Sequence, residues 1–321
     1  LYLQKTCRTL LDFNNFKKIL MTLGEDIPSK RFLLAVSGGA DSAVLSHLFR
    51  VSGFEFQIAH VNYHFRGEDS NLDQKIVQDF CKKNNIKFHL KDISEEEKTE
   101  MKSLQNWARE IRYNFFFNLL KKENLDFIVT AHHLNDELET FIINLSRGSG
   151  IKGLSGIPKN ENRILRPFLT FSKSEIYAFA EENNIDFRED KSNQKDDYLR
   201  NKIRHHLTPK LLEIFPNFLN QFQESLSYLN SANQFFQEEI QKTFEEILIS
   251  GDEKEFVLDK EKLLKKHKTI IVEIIRKLGF TGIEIEKVIF SENGKFFRSN
   301  SHEISIKRKE IYCKKKHEKD E

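Results

Sequence analysis

A six-residue segment near the start of the chain has the composition of a phosphate-binding loop. It reads Ser37-Gly38-Gly39-Ala40-Asp41-Ser42 and follows Phe32 to Val36, an apolar run that predicts a buried strand. Two adjacent glycines let the backbone approach an anion closely, and a helix starting after them adds unpaired N–H groups and a positive dipole end. The spacing fits neither a Walker A loop nor a dinucleotide-binding glycine pattern. We predict that this loop binds phosphate or pyrophosphate; the alternative is a tight strand-to-helix turn capped by Asp or Ser.

A second polar segment, Thr130 to Thr140, combines histidines with carboxylates. It holds His132, His133 and Asp136, and a glycine-rich stretch from Gly148 to Gly153 follows it. Paired histidines beside a carboxylate can hold and transfer protons, so this segment is a candidate reaction site. For any one of the histidines, the alternative is an ordinary place at the start of a helix.

Both segments follow predicted strands and are expected at the same edge of one sheet. Apolar runs alternate with helical periodicity over the first two thirds of the chain, with strand candidates at 32–36, 56–61, 86–90, 126–130 and 164–165. This alternation predicts an α/β fold in which a parallel sheet carries helices on both faces and ligands bind at the carboxyl ends of the strands. After residue 200 the pattern is helical, except for one or two short strands between Gly294 and Tyr312. A chain of 321 residues exceeds the usual size of one hydrophobic core, so we expect two domains, at 1–213 and, smaller and mostly helical, at 214–321.

The composition excludes several classes of protein. Hydrophobic residues make up 39% of the chain and charged residues 31%, which is typical of a folded globular protein. The net charge of +2 neither requires nor excludes a nucleic-acid partner. Cys7, Cys81 and Cys313 lie far apart, which argues against a disulfide scaffold, a zinc ribbon or an iron–sulfur cluster. Because no apolar run approaches the roughly 20 residues of a membrane span, and residues 1–20 lack the apolar core of a signal peptide, we expect no membrane partner and a cytoplasmic location.

The two polar segments carry a family resemblance. The loop resembles the pyrophosphate loop (PP-loop) of the N-type ATP pyrophosphatases, which split ATP into AMP and pyrophosphate. The second segment resembles the tRNA(Ile)-lysidine synthetase family, and the resemblance covers roughly residues 30–215. Further motifs in the same order support it: His60-Val61-Asn62, Ala108 to Tyr113, Arg166-Pro167-Phe168, Glu189-Asp190 to Asn193, and Arg200 to Arg204. Two positions depart from the pattern, since Asn135 stands where many members have Asp and Glu137 where many have Gln. Longer members carry a second C-terminal domain, whereas a single C-terminal domain is expected in this sequence.

The resemblance implies a reaction and its cofactors. It implies an ATP-dependent ligase that joins L-lysine to C2 of the wobble cytidine in the CAU anticodon of tRNA(Ile), through an adenylated cytidine, giving lysidine, AMP and pyrophosphate. The first domain would then bind ATP and catalyse the reaction, and the second would bind the tRNA. The expected ATP-binding residues are Ser37, Gly38, Gly39, Ala40, Asp41, Ser42, His60, Asn62 and Arg109. Asp41 is the expected Mg2+ ligand, with a plain helix cap as the alternative.

The resemblance also implies catalytic roles, for Asp41, His132, Asp136 and Arg112. Free lysine is protonated near neutral pH, so a carboxylate must bind its ammonium group and accept or relay a proton. Asp136 is the first candidate for this task and Glu139 the alternate. His132 is expected to contact the phosphate or the cytosine oxygen.

Basic side chains are expected around the site. Arg109 and Arg112 share a helix face and would stabilise the α-phosphate, unless they pair with nearby glutamates such as Glu110 and Glu123. The expected RNA-backbone contacts are Arg200, Lys202 and Arg204, although Arg204 could instead reach the active site. The basic tail, residues 307–316, is interpreted as a solvated end, and Trp107 could stack on the unstacked cytosine.

Two other functions remain open at this point. One is a different PP-loop tRNA-modifying enzyme, such as a 2-thiolase, but Cys7 and Cys81 lie in neither polar segment. The other is a non-catalytic nucleotide- or RNA-binding protein, against which the intact Asp41 and Asp136 argue. The stretch 148–156 is either a lid or a helix C-cap followed by a turn. The oligomeric state is left open between a monomer and a homodimer.

Overall fold

The computed structural model describes residues 10–98, 104–188 and 199–316. The chain divides into two compact units, the first ending at Leu229 and the second beginning at Asn230. Within the described residues, no helix has both the length and the apolar character that a membrane span requires.

The first unit alternates strands and helices. Its strands are β1 (Arg31–Ala35), β2 (Glu55–Asn62), β3 (Phe88–Asp92), β4 (Phe127–Val129), β5 (Asn160–Glu161) and β6 (Ile164–Leu165). Its helices are α1 (Phe13–Met21), α2 (Ala40–Ser52), α3 (Glu68–Lys83), α4 (Leu104–Lys122), α5 (Leu134–Ser146), α6 (Ile151–Leu154), α7 (Lys173–Glu182), α8 (Leu199–Lys202) and α9 (Thr208–Ile214). A π-helical turn, Ile203–Leu207, joins α8 to α9. The long helix α10 (Phe218–Ile247) follows, and the division of the chain between Leu229 and Asn230 falls within its sequence. The boundary expected at 213/214 stays a prediction.

The sheet order brings the ends of β1 and β4 together. The strands run β3-β2-β1-β4-β6-β5, and all neighbours are parallel except β5 and β6. The chain leaves β1 toward β2 on one side and later returns to place β4 on the other side. Such a reversal opens a crevice at the carboxyl ends of the two strands, which is where open α/β sheets bind ligands.

Burial on both faces of β1 explains its uninterrupted apolar sequence. Phe32 and Leu34 belong to a core shared with α1, α2 and α7. Leu33 points the other way, because side chains alternate along a strand, and packs in a second core with Phe116 and Leu120 of α4. The predicted fold class, a mostly parallel sheet covered by helices on both faces, is confirmed.

The second unit combines helices with an antiparallel sheet. After α10 come β7 (Leu248–Gly251), β8 (Glu255–Asp259), α11 (Lys260–Leu264), α12 (Lys268–Lys277), α13 (Ile283–Ile289), β9 (Phe296–Arg298), β10 (His302–Lys307) and β11 (Glu310–Lys315). The five strands are ordered β7-β8-β11-β10-β9. The sheet is larger than expected. Three strands, β9 to β11, follow Gly294 where one or two were expected, and β7 and β8 form a hairpin in a stretch expected to be helical.

Candidate active site

The phosphate loop connects β1 to α2 and is held in shape by its own serines. Ser42 Oγ donates to Gly39 O (3.0 Å) and accepts the N–H of Ser37 (3.2 Å). Gly38 has a φ of +96°, and a Cβ there would lie 3.1 Å from the backbone oxygen of Asp73, so this position requires glycine. Among the described residues, no side chain caps the start of α2 at Gly39, so N–H donors of the first helical turn can face an anion.

Buried polar groups fix the back of this loop. His60 Nδ1 donates to Val36 O (2.8 Å), and burial lowers the pKa of His60, so the ring is neutral near pH 7. The backbone N–H of Arg188 donates to Gly38 O (3.1 Å), while Arg188 Nε donates to Asp73 Oδ1 (2.9 Å). These contacts preorganise the loop before any ligand binds.

The side-chain amide of Asn62 forms hydrogen bonds with other groups of the protein. Its Nδ2 donates to Gln74 Oε1 (2.8 Å) and to Asn71 Oδ1 (3.2 Å) of α3, and its Oδ1 accepts the N–H of His64 (3.0 Å). Both motif residues of β2, His60 and Asn62, therefore position the polypeptide around the loop. Their direct contact with ATP stays a prediction.

His133 belongs to the second polar segment and lies beside Asp41 of the phosphate loop. It is the N-cap of α5: its Nδ1 accepts the N–H of Asp136 (3.4 Å), and Asp136 Oδ2 accepts the N–H of His133 (3.0 Å). An Nδ1 that accepts leaves the proton of the neutral ring on Nε2, which lies 3.7 Å from Asp41 Oδ2. Sequence reasoning counted His133 as one of the paired histidines but gave a specific role only to His132. One sequence signal indicates that His133 caps α5: it is a polar residue directly before an apolar helix, and an Asp follows three positions later.

The two aspartates differ in their electrostatic surroundings. Burial raises the pKa of Asp41, and the negative charge of Asp136 adds to this shift. Burial would also raise the pKa of Asp136, but His133, His132 and the nearby Arg200 outweigh it and hold this pKa below its usual value. Asp136 therefore stays ionised near neutral pH, whereas Asp41 binds a cation or a proton more readily.

His132 is a neutral, partly buried side chain beside Asp136. Burial lowers its pKa to about 4, and the charge of Arg112 contributes to that shift. Its Nδ1 lies 2.8 Å from Thr130 Oγ1, which fixes the orientation of the ring. The structure thus brings His132, Asp136 and Arg112 into one electrostatic neighbourhood.

Glu139 is almost fully buried and is held by two arginines. Glu139 is 1% exposed. Arg200 Nε donates to Glu139 Oε2 (2.9 Å), and Arg204 Nε donates to Glu139 Oε1 (2.7 Å). Arg204 Nη2 also lies 3.3 Å from Asp136 Oδ1. Arg204 belongs to the π-helical turn, a distortion that often occurs at functional sites. Lys202, the third basic residue of this motif, is exposed.

Arg109 and Arg112 lie against the same ring on α4. Their guanidinium carbons are 4.8 Å and 5.6 Å from the centre of the Tyr113 ring. Glu123, a suggested partner for these arginines, pairs with Lys87 instead. The motif Glu189 to Asn193 and Cys7 lie outside the described residues.

The surroundings of Asp41 fit a magnesium ion. Its Oδ1 is buried and has no hydrogen-bond partner among the described residues. A buried carboxylate oxygen without a partner, beside a phosphate-binding loop, suits a cation. In the described part of the chain no group of three His, Cys, Asp or Glu side chains surrounds a possible metal position. Mg2+ does not need one, because it usually takes one or two carboxylates together with phosphates and water.

Comparisons with known proteins agree with this geometry. A model of the PP-loop domain matches residues 12–211, and a model of the TilS substrate-binding domain matches residues 250–316. A tRNA(Ile)-lysidine synthase of Bacteroides thetaiotaomicron is 34% identical over 84% of this chain and 63% of its own. One from Chlorobaculum tepidum is 39% identical over 58% of each chain. The chain spans about three fifths of the length of these curated relatives.

A solved structure shares the fold at low sequence identity. The U34-tRNA thiolase of Methanococcus maripaludis superposes with a TM-score of 0.55 and 18% identity, covering 68% of this chain and 78% of the thiolase. At that identity the likeness concerns the fold alone. Because the PP-loop model matches more than half of the sequence, and the predicted resemblance to tRNA(Ile)-lysidine synthetases is confirmed by the curated relatives, the chain belongs to the PP-loop family.

Proposed function

We propose that this protein ligates L-lysine to C2 of the wobble cytidine in the CAU anticodon of tRNA(Ile), consuming ATP and releasing AMP and pyrophosphate. The observation that carries the proposal is the His133 bridge, which places Asp41 of the phosphate loop next to Asp136 of the second polar segment. The reaction has two steps, activation and attack, and this arrangement gives each step its own carboxylate within one site.

In the first step, the cytosine O2 attacks the α-phosphate of ATP and pyrophosphate leaves. The N–H groups at the start of α2, which no described side chain caps, and the serine hydroxyls of the loop suit the charge that builds up on the departing pyrophosphate. Mg2+ held at Asp41 would neutralise phosphate charge. His132 is neutral, so it serves as a hydrogen-bond partner of the cytosine oxygen or the phosphate, and Arg112 supplies the nearby positive charge.

In the second step, the lysine ε-amine attacks C2 and AMP leaves with the former O2. The amine must first lose a proton from its ammonium form. Asp136 binds the ammonium because its own pKa is held low, and for the same reason it passes the proton on instead of retaining it. Glu139 adds negative charge one helical turn later, but Arg200 and Arg204 already compensate it. We therefore keep Asp136 as the first candidate for the proton relay.

The RNA partner follows from similarity and from charge. The second unit matches the substrate-binding domain of relatives that act on tRNA. Of the three basic residues expected on the RNA backbone, Lys202 is exposed, while Arg200 and Arg204 direct their guanidinium groups to Glu139. We propose that Lys202 contacts a phosphate and that the two arginines shape the amine site.

Sulfur transfer is the second candidate function, and the cysteines disfavour it. Cys81 and Cys313 are buried, and burial raises the pKa of each thiol to about 12. A thiol in that state is a poor nucleophile and a poor metal ligand. Among the described residues, no cysteine is therefore placed to carry sulfur to a base.

The test uses unmodified tRNA(Ile) transcript, ATP and labelled amino acids. Label from lysine alone, dependent on ATP and accompanied by AMP, is the expected result. A transcript with uridine in place of the wobble cytidine serves as the control and should remain unlabelled. Release of ADP, sulfur incorporation, or RNA binding without turnover would each overturn the proposal.

A further inference from the structure

Three aromatic rings form a partly exposed cluster, and only one of them, Trp107, was singled out by the sequence. Tyr63 and Phe65 stack with ring centres 5.3 Å apart and an interplanar angle of 10°. Trp107 of α4 lies 6.2 Å from the first ring and 6.3 Å from the second. Phe65 is 46% exposed although it belongs to this cluster. We call Tyr63, Phe65 and Trp107 the aromatic platform.

The backbone beneath the platform is strained and held in place. His64 has a φ of +54°, a left-handed conformation that costs a non-glycine residue about 1 kcal/mol or more. Its N–H donates to Asn62 Oδ1 (3.0 Å), and its ring pairs with Asp92. The Tyr63 hydroxyl donates to the backbone oxygen of Ala108 (2.7 Å) and so joins this turn to α4. Several independent contacts therefore hold His64 in this conformation. The conformation keeps the rings of Tyr63 and Phe65, which flank His64 in the sequence, stacked on each other.

The platform borders the candidate active site. It follows β2 at the same carboxyl edge of the sheet that carries the phosphate loop after β1. Burial raises the pKa of the Tyr63 hydroxyl while the charge of Arg112 opposes that shift, and the same arginine contributes to the low pKa of His132. Arg112 is thus within electrostatic reach of both the platform and His132.

Two basic side chains lie near the platform. Lys98 Nζ, which also pairs with Glu95, lies 5.8 Å from the centre of the Phe65 ring, and the charge of Arg112 on α4 acts on Tyr63. Aromatic rings next to positive charges match an unpaired nucleotide, because the base stacks on the rings while the phosphate faces the cations. An apolar peptide would gain nothing from those charges.

We propose that the aromatic platform stacks an unpaired RNA base adjacent to the reacting cytidine of the anticodon loop. This inference rests on the proposed function, since that function puts an anticodon loop at this edge of the sheet. Stacking tolerates any base, so the platform positions the loop without reading its sequence. Once the neighbouring base is held, the cytidine is unstacked on one side and free to turn toward His132.

The chain offers a built-in probe, because Trp107 is its only tryptophan. The full chain is titrated with a CAU anticodon stem-loop RNA while tryptophan fluorescence is recorded. We expect the RNA to quench the fluorescence when it binds. Two further RNAs lack the base on the 5′ side or the base on the 3′ side of the cytidine, and we expect one of these two to quench less. Loss of one stacked base should weaken binding about tenfold.

Variants at Phe65 separate stacking from simple apolar contact. Phe65→Leu keeps an apolar side chain but lacks a ring, so we expect about tenfold weaker binding, whereas the conservative Phe65→Tyr should restore most of the affinity. Phe215→Leu is the matched control, because Phe215 is 53% exposed in the first unit and is not among the residues assigned to the site. Circular dichroism confirms the fold of each variant.

The outcomes separate this inference from the proposed function. Parent-like affinity and quenching in Phe65→Leu, or equal binding of both abasic RNAs and the intact RNA, would overturn the platform even if lysine is incorporated. Base-dependent quenching that is lost in Phe65→Leu supports the platform even if no lysine enters the RNA. In an active enzyme, Phe65→Leu should raise the KM for tRNA and leave the KM for ATP unchanged.

Discussion

Arg204 binds the carboxylate of Glu139 through two hydrogen bonds, from Nε to Oε1 (2.7 Å) and from Nη2 to Oε2 (2.9 Å). Such a bidentate pair fixes both the position and the orientation of a buried carboxylate. Because the same guanidinium also reaches Asp136, it couples Glu139 to the carboxylate that we assign to the amine substrate. The pair therefore sets the shape of this part of the site.

Replacing Arg204 with lysine should damage the site while the charge remains. A lysine ammonium is a point charge and cannot make the two parallel bonds, so Glu139 and Asp136 would lose their fixed spacing. We expect kcat/KM for lysine to fall about tenfold or more, with little change in the KM for ATP. Steady-state lysine incorporation measures both. Arg50→Lys, at an exposed position on α2, is the control; equal losses in the two variants would contradict the assigned role.

Asp41→Asn should remove activity without lowering stability. The substitution keeps the shape of the side chain but removes the charge that would hold Mg2+, so we expect turnover to fall by about a hundredfold or more. Since burial raises the pKa of Asp41, its ionised form is destabilising near neutral pH, and the melting temperature should stay the same or rise. Lysine incorporation and thermal unfolding are measured on the same preparation. Near-normal incorporation would remove Asp41 from the mechanism.

The two loop glycines should respond differently to alanine. Gly38 has a φ of +96° and would place a Cβ 3.1 Å from Asp73 O, whereas a Cβ on Gly39 meets its nearest neighbour at 3.8 Å and needs no change of backbone. Gly38→Ala should cost about 1–3 kcal/mol of unfolding free energy, and Gly39→Ala less than about 1 kcal/mol. Urea unfolding of both variants gives the comparison. Similar losses at the two positions would mean that the loop relaxes around a new side chain.

Glu137 should make the stability depend on pH. Burial raises its pKa to about 7, although the N–H of Ile157 bonds to its Oε2 (2.6 Å). The groups that face it are Lys159, Asp136 and Arg166. A carboxyl with a raised folded pKa stabilises the protein at low pH, and this contribution is lost as the pH rises from about 4.5 through about 7.

Glu137→Gln removes this titration and keeps an acceptor for the N–H of Ile157. We expect the variant to match the parent near pH 4.5 and to exceed it in unfolding free energy above pH 7, by at most about 3 kcal/mol. Urea unfolding of both proteins across this pH range measures the difference. A difference that does not change with pH would show that Glu137 stays ionised throughout.

Lys202 should contribute to the salt dependence of RNA binding. Each phosphate contact releases about one counterion, so Lys202→Gln should reduce the slope of log K against log salt concentration by about one. Filter binding with tRNA(Ile) at several salt concentrations provides the slope. Lys121→Gln, on the last turn of α4, is the control because that side chain is also exposed. An unchanged slope in Lys202→Gln would place the RNA backbone elsewhere.

The sequence predicts the parts of this protein that depend on local patterns. The phosphate loop was recognisable because the glycine pair, the strand before it and the helix after it are consecutive in the chain. β7 was missed because it is exposed along its whole length and has no alternation of apolar and polar residues to reveal a strand. Long-range contacts such as Arg204 with Glu139, 65 positions apart, have no signature in a single sequence. The raised pKa of Glu137 likewise follows from burial, which only the fold defines.

The capping of α5 by His133 also limits how this site can be redesigned. The first turn of α5 has contacts on two sides, since its cap His133 contacts Asp136 and also lies beside Asp41. Changing that turn to admit a different amine would disturb the nucleotide side as well. The second turn carries Glu139 and Thr140. In the described part of the chain, the side chains of these two residues bond to Arg204 of the π-helical turn and Arg200 of α8. Engineering toward shorter or longer diamines should therefore begin one turn further along this helix.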